Sequence, residues 1–457
     1  MVRIASNSFI YTLLCNFMPE KQFEVWSAVH FQRRMKSAGV AFGKKGKFFL
    51  QQVPLFRNPK IQHDSSSFRY QIDILIVADY SVYTSFMHIV RDDEYSALSA
   101  TNDYLYAIFE QVRSIYDGNG LSENVPVTLN LASTMTIIRE DDCPFAPFLK
   151  QTELNNLENA TQMNGIDAVN YVQKWVADYS QWIPAHNHII VLTRIDLLSS
   201  KGDSSTQGMA YVGAMCRVAE SASVVEDVGG MATAVIAAHE LAHSLGAFHD
   251  GTAGPAENCG RNYLMSATVS SSDDEQKFFN TFKFSPCSIQ QIQLFFANGT
   301  ADCLLRSKSR EKRLRRTSRR KHRKPGELLV QQNQCKIAFG AHYSVCLRKE
   351  YLSKDPCRRL WCKNRKLRKT EPCETKLYLP LLDGTKCGHD KWCLGGNCVA
   401  TDKERENCDD LNSSMCLELS DEKLRKYCHS EQFRSLCCVT CSQLAYRKIF
   451  TTSFHNS

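Results

Sequence analysis

The stretch His239-Glu-Leu-Ala-His243-Ser-Leu-Gly246-Ala-Phe-His249-Asp250 gathers three imidazoles and two carboxylates into one short segment. On a helix, positions i and i+4 share a face, so His239 and His243 can present two nitrogens to one metal ion. Glu240 sits one step round that helix, placed to take a proton from water rather than to ligate. Gly246 can adopt the positive φ that a residue with a Cβ resists. That would end the helix and swing the chain back, so that His249 supplies a third ligand. Three neutral nitrogens plus water make an open tetrahedral zinc site of the catalytic kind. Zinc would lower the pKa of that water to about 7 and polarise a carbonyl. Glu240 would accept the water's proton as general base and deliver it to a leaving amine. One catalytic Zn2+ and hydrolysis of a peptide bond are therefore expected.

The elements that must position these groups can be read from periodicity. Met231 to Leu245 is apolar nearly all round, which predicts a buried helix. Ile72 to Ala78 and His188 to Thr193 read as buried strands, and Val127, Leu129 and Leu131 alternate as a third. Helical spacing runs through Leu105, Ile108, Phe109, Val112, Ile115 and Tyr116, again near Val169, Val172 and Val176, and over Ser288 to Ala297. Gly208 to Cys216 reads as one more strand, at a sheet edge. The alternation of strands and helices suggests a sheet covered by helices, an α/β architecture.

The long motif resembles the metzincin pattern. Asp250 after the third histidine is similar to the reprolysin branch, which includes snake-venom adamalysins and ADAM proteases. Ile76-Val-Ala-Asp79, Gly208 to Cys216, Tyr263-Leu-Met265-Ser-Ala and Phe284-Ser-Pro-Cys-Ser288 match in order. The resemblance spans about residues 69 to 305 and implies a zincin-like, two-lobed α/β (α+β) domain with a cleft between the lobes. It implies Met265 as an apolar floor beneath the zinc, Gly246 and Asp250 as structural residues near the site, and disulfides Cys216–Cys303 and Cys259–Cys287. Cys143 is left without a partner. Substrate would pair in extended form with the edge strand near Gly208 to Val212, and residues 266 to 269 would help wall the pocket beyond the scissile bond. Some relatives carry a structural calcium; the matching positions here are Asp73, Asn187 and Arg306, and a cation in place of an oxygen ligand argues against Ca2+.

Chain length and composition bound the rest. At 457 residues the chain has room for two or three domains, and 43% hydrophobic content supports at least one ordinary core. Of its 20 cysteines, those from Cys335 to Cys441 are crowded as in a disulfide framework, which small domains with thin cores need. With the sequons at Asn159, Asn298 and Asn412 they point to a secreted, extracellular glycoprotein. No apolar run approaches the roughly 20 residues of a membrane helix. Phe9 to Phe17 is short for a signal peptide and broken by Asn16, so the N-terminus is expected to be truncated or atypical.

The expected order is an N-terminal segment (1–68, the remnant of a prodomain), the catalytic domain (69–305), a basic linker (306–330), a cysteine-rich module (331–400), a six-cysteine module (401–446) and a tail (447–457). Arg359-Leu-Trp-Cys362 and Leu382-Asp-Gly-Thr-Lys-Cys387-Gly look like the cysteine-rich module of ADAM proteases with thrombospondin motifs, which would be either a stapled spacer or, the favoured reading, a substrate- or matrix-binding exosite. The layout resembles secreted salivary metalloproteases of ticks, and by analogy host matrix or clotting proteins would be the substrates. Between Arg306 and Lys324 twelve Lys or Arg face one acid, Glu311, a local net of +11; the formal total is +8, so the remainder carries −3. This strap could be a solvated linker, a glycosaminoglycan-binding patch through residues 306–324, or a processing site at Arg310-Glu-Lys-Arg313 or Arg313-Leu-Arg-Arg316, with retention on glycosaminoglycan favoured over processing. Nucleic acid fits an extracellular protein poorly, and a monomer is expected. The rival reading is a non-catalytic matrix- or receptor-binding protein on a protease scaffold. Intact His239, Glu240, His243 and His249 argue against it.

Overall fold

The computed structural model describes residues 2–6, 9–12, 68–118, 121–154, 162–252, 256–260, 262–267, 275–307, 323–352, 356–368, 370–376, 380–401, 410, 415–416 and 418–441. Four expected features lie outside them: the sequons at Asn159 and Asn412, residues 308–322 of the strap, and the tail 447–457.

The core of the molecule is a sheet built from β1 (Val2–Ser6), β2 (Phe9–Thr12), β3 (Phe68–Ala78), β4 (Val127–Ile137), β5 (His188–Thr193), β6 (Gly208–Ala210) and β7 (Ala222–Glu226), in the spatial order β2-β1-β4-β3-β5-β7-β6, with β8 (Leu305–Ser307) paired to β3. β4, β3, β5 and β7 run parallel to one another, whereas β6 is antiparallel to β7 and lies at the end of the order. Parallel strands buried on both faces are apolar at consecutive positions, and here the alternation sorts them into two cores. Ile72, Ile74, Ile76, Ile190 and Leu192 face the helices α1 (Tyr80–Ile89), α2 (Glu94–Asp117) and α4 (Gly230–Ser244). Leu75, Val77, Ile189 and Val191 face α3 (Gly165–Asp178). Side-chain caps start the helices: Asp79 accepts from Val82 N at 2.9 Å and Asn164 from Ile166 N at 2.9 Å. α5 (Pro286–Ala297) has Ser285 at its N-cap and proline in its first turn.

Two expectations shift. The strand expected over Gly208 to Cys216 ends at Ala210, because the segment beyond it turns through Gly213 (φ +67°) and Cys216 (φ +70°) and hydrogen-bonds the end of α4, Gly213 N to His243 O at 2.8 Å and Met215 N to Ser244 O at 3.0 Å. The basic linker expected over 306–330 is shorter. Leu305–Ser307 is a strand of the sheet, and α6 (Pro325–Leu328) already packs on α2.

Beyond the linker, α7 (Gln331–Phe339) and short antiparallel strands surround a core of cystines with Leu360, Leu381 and Phe433. Eight cysteines allow 105 pairings; the structure joins 335 to 362, 346 to 373, 357 to 393 and 387 to 398. Cys416–Cys437 and Cys428–Cys441 staple the terminal module. Among the described residues no helix is long and apolar enough to cross a membrane.

Candidate metal centre

α4 carries His239 and His243 one turn apart on its buried flank, and it ends where Gly246 takes φ +89° with its N–H on His243 O at 2.9 Å. The reversed chain brings His249 Nε2 to 3.0 Å from both His243 Nε2 and His239 Nε2. His239 Nδ1 meets Leu264 O at 2.7 Å and His243 Nδ1 meets Ala247 O at 2.7 Å. Carbonyls can only accept, so each Nδ1 carries the hydrogen and each Nε2 turns a lone pair toward its neighbours. Burial, and then mutual repulsion, lowers the affinity of His239 and His243 for protons, His243 to about 4, and burial lowers that of His249. Neutral, oriented imidazoles whose lone pairs converge repel one another unless a cation lies among them. This donor set fits a zinc ion, and the backbone carbonyls behind it are the outer partners that fix the tautomers.

Glu240 lies beside this cluster, 5% exposed, and burial pushes its carboxyl up to about 8. Its position is bounded by the strand β6 that packs on the helix. A Cβ on Gly208 would sit 2.7 Å from Glu240 Cγ and from Oε1, and 2.8 Å from Ile236 Cγ2. Met265 is fully buried among the helix core residues. Its carbonyl accepts from Asp250 N at 2.8 Å, and Asp250 Oδ1 accepts from Ser285 Oγ at 2.8 Å and Ser288 Oγ at 3.3 Å. One loop thus holds both ends of the ligand motif, His239 through Leu264 and Asp250 through Met265.

Cys216 is bonded to Cys303 and Cys259 to Cys287, and Cys143 is a buried free thiol. Asn298 is exposed at the C-cap of α5. At the positions weighed for calcium, Asp73 Oδ1 accepts from Gln71 Nε2 at 2.6 Å and Asn130 Nδ2 at 2.8 Å, and Asn187 Oδ1 accepts from Asp73 N at 2.9 Å. Sequence reading did not single out Gly208 as a neighbour of Glu240. The hint was present in the glycine that opens a strand otherwise bearing side chains.

Residues 129–307 match the family of Reprolysin (M12B) family zinc metalloprotease, and residues 325–399 match ADAMTS cysteine-rich domain 2. Residues 129–307 thus resemble the reprolysin branch of the metzincins. This chain is similar to human "A disintegrin and metalloproteinase with thrombospondin motifs 16", 30% identical over 305 residues, which cover 65% of this chain and 21% of that protein. A silkworm (Bombyx mori) protein, "A disintegrin and metalloproteinase with thrombospondin motifs like", is 30% identical over 245 residues, 49% of this chain and 32% of that protein. Archaemetzincin from Methanopyrus kandleri overlaps 50% of this chain and 96% of its own at 15% identity, with a TM-score of 0.26. The chain thus spans between about a fifth and a third of these two curated relatives. The reprolysin match covers the histidine motif, the Met265 loop and the two cystines around them, and the second match begins where α6 begins.

Proposed function

We propose that this protein is a secreted, zinc-dependent endopeptidase acting on extracellular proteins, with His239, His243 and His249 as metal ligands and Glu240 as general base. The observation that carries the proposal is the convergence of three Nε2 atoms at 3.0 Å, with the Nδ1 hydrogens of His239 and His243 committed to carbonyls. Zinc bound there supplies Lewis-acid chemistry, acidifying water and polarising a carbonyl. The chain's own residues do the remainder. β6, with one side unpaired in the sheet order, offers backbone groups to an extended substrate strand and sets its register over α4. Glu240 takes a proton from water as the water oxygen bonds to the scissile carbonyl carbon, and gives it to the amine nitrogen as the C–N bond breaks. Leu264 and Ala247 hold the imidazoles through their carbonyls, and Met265 holds Asp250. Host matrix or clotting proteins as substrates remain an analogy of layout.

The test is metal analysis with proteomic cleavage profiling of the full chain, with and without a chelator. We expect about one zinc per chain, new protein termini that vanish on chelation, and Glu240→Ala protein that keeps its zinc but loses about 10²- to 10⁴-fold in rate, roughly 3 kcal/mol or more. An Ala variant that cleaves at the wild-type rate would end the mechanism.

A further inference from the structure

The cystines among the described residues fall on one side or the other of the basic strap, within 216–303 or within 335–441. Even so, the cysteine-rich module reaches into the protease core. Leu329, Ile337 and Leu382 belong to the same buried cluster as Leu241, Leu245 and Met265, while Ala232 of α4 packs on the module's own core.

One close contact lies where α4 begins. The chain enters that helix through Gly229 (φ +103°) and Gly230 (φ +55°), backbone conformations that residues with a Cβ rarely adopt. Ala338 of α7 lies against the first of them, so near that a Cβ on Gly229 would be 2.8 Å from Ala338 Cα. Arg194, at the end of β5, spans the seam. Its Nη2 donates to Ile337 O at 2.9 Å and pairs with Asp227 Oδ2 at 2.8 Å. Asp227 Oδ1 accepts from the hydroxyl of Tyr104 and from Thr233 Oγ1 at 3.0 Å, and Thr233 Oγ1 in turn accepts from Gly229 N at 2.9 Å. Thr233 lies in the first turn of the helix that carries His239. A second anchor sits on α2, where Gln111 and Asp383 exchange two hydrogen bonds, Gln111 Nε2 to Asp383 Oδ2 at 2.9 Å and Asp383 N to Gln111 Oε1 at 3.0 Å, with Ser114 Oγ joining at 3.1 Å.

We infer that the cysteine-rich module is a positioning element for the histidine helix, that Arg194 is the positioning residue through which it acts, and that the module keeps its seat without a covalent link. Without the module, Arg194 loses its carbonyl, the apolar faces of Leu382 and Ile337 leave the core, and the glycine entry to α4 loses its wall. A cut in the strap, at either convertase-like site, then yields a two-chain protein whose metal helix is still held. Only the kinetic arm of the test rests on the proteolytic reading.

The test uses the full chain with a site for a sequence-specific protease in place of residues 313–319, cut after purification. Four readouts follow: co-elution of the fragments on a sizing column, hydrogen exchange of residues 229–233, zinc per chain, and kcat on a peptide. Expected for the cut wild type are co-elution, unchanged exchange and kcat within about twofold of uncut protein. Ala338→Leu leaves the protease sequence intact and overfills the seam. Cut Ala338→Leu and Arg194→Met should both exchange at least tenfold faster at 229–233 and lose tenfold or more in kcat with zinc retained, since an ångström of misplacement costs about 10²-fold. Arg194→Lys, which keeps the charge on Asp227, should fall between. Fragments of the wild type that part on the column, or cut variants with wild-type exchange, would overturn the inference. Should uncut protein bind zinc but cleave nothing, the proteolytic proposal fails, and co-elution and exchange still decide this one.

Discussion

Replacing Gly208 by Ala tests how the general base is held. The backbone there is extended and no positive φ demands glycine; what demands it is Glu240, whose Cγ and Oε1 would each lie 2.7 Å from the added Cβ. Carbon atoms prefer about 3.5–4.0 Å, so the carboxylate must retreat by about 1 Å. A flexible side chain can do that at little cost to the fold, but a displacement of about 1 Å in a reacting group costs about 10²-fold in rate, about 2.7 kcal/mol. We expect Gly208→Ala to keep its zinc and its melting temperature within a few degrees, to lose about 10²-fold in kcat, and to change KM little. The assays are a quenched fluorescent peptide, metal analysis and a thermal scan on the same preparation. A kcat within threefold of wild type at full zinc occupancy would refute the reasoning, because Glu240 would then tolerate a crowded neighbour.

Three further outcomes are expected. Cys143 is buried among Leu75, Val77 and Phe145, and burial raises its thiol well above the ordinary range; it should resist alkylation in native protein and react once unfolded, and rapid native labelling would show the pocket is open. His188 is fully buried between Ser221 and Ser223, and burial lowers it to about 3. Since the unfolded ring titrates near 6.5, the unfolded chain binds more protons between those values and stability falls as pH falls, by about 2 kcal/mol at pH 5 from this residue. The difference in unfolding free energy between wild type and His188→Gln should narrow by that amount from pH 7 to pH 5, and equal slopes in urea titrations would contradict it. Finally, full-length protein should be retained on heparin and elute as salt rises, and replacing the arginines from Arg313 to Arg320 by Gln should abolish retention without changing peptide cleavage; secreted material found wholly as fragments cut after Arg313 or Arg316 would favour processing instead.

The strands and helices that carry the site were legible because their signals are local. The i, i+4 histidines fix one face of α4, Gly246 marks its end, and strands buried on both faces appear as unbroken apolar runs such as Ile74 to Ala78. The seam between protease and module was not legible, since Arg194, Gln111 and Asp383 look like ordinary polar residues until distant segments meet. Nor was the early end of β6, because the turn after it is held by hydrogen bonds from Gly213 and Met215 to the end of α4, about thirty residues away in sequence. Composition also overran the linker: it sums charges and cannot see that Arg306 pairs with Arg69 as backbone in a sheet.

The brevity of β6 also bears on how this protein survives at high concentration. An unpaired strand edge is a template for any other extended chain, including a second copy of the same protein. Here the edge beyond β7 is three residues long, and the chain then turns away and ties itself to the end of α4 through Gly213 and Met215. An edge of that length has room for only a few backbone hydrogen bonds to another extended chain, too few to nucleate a ladder of stacked strands.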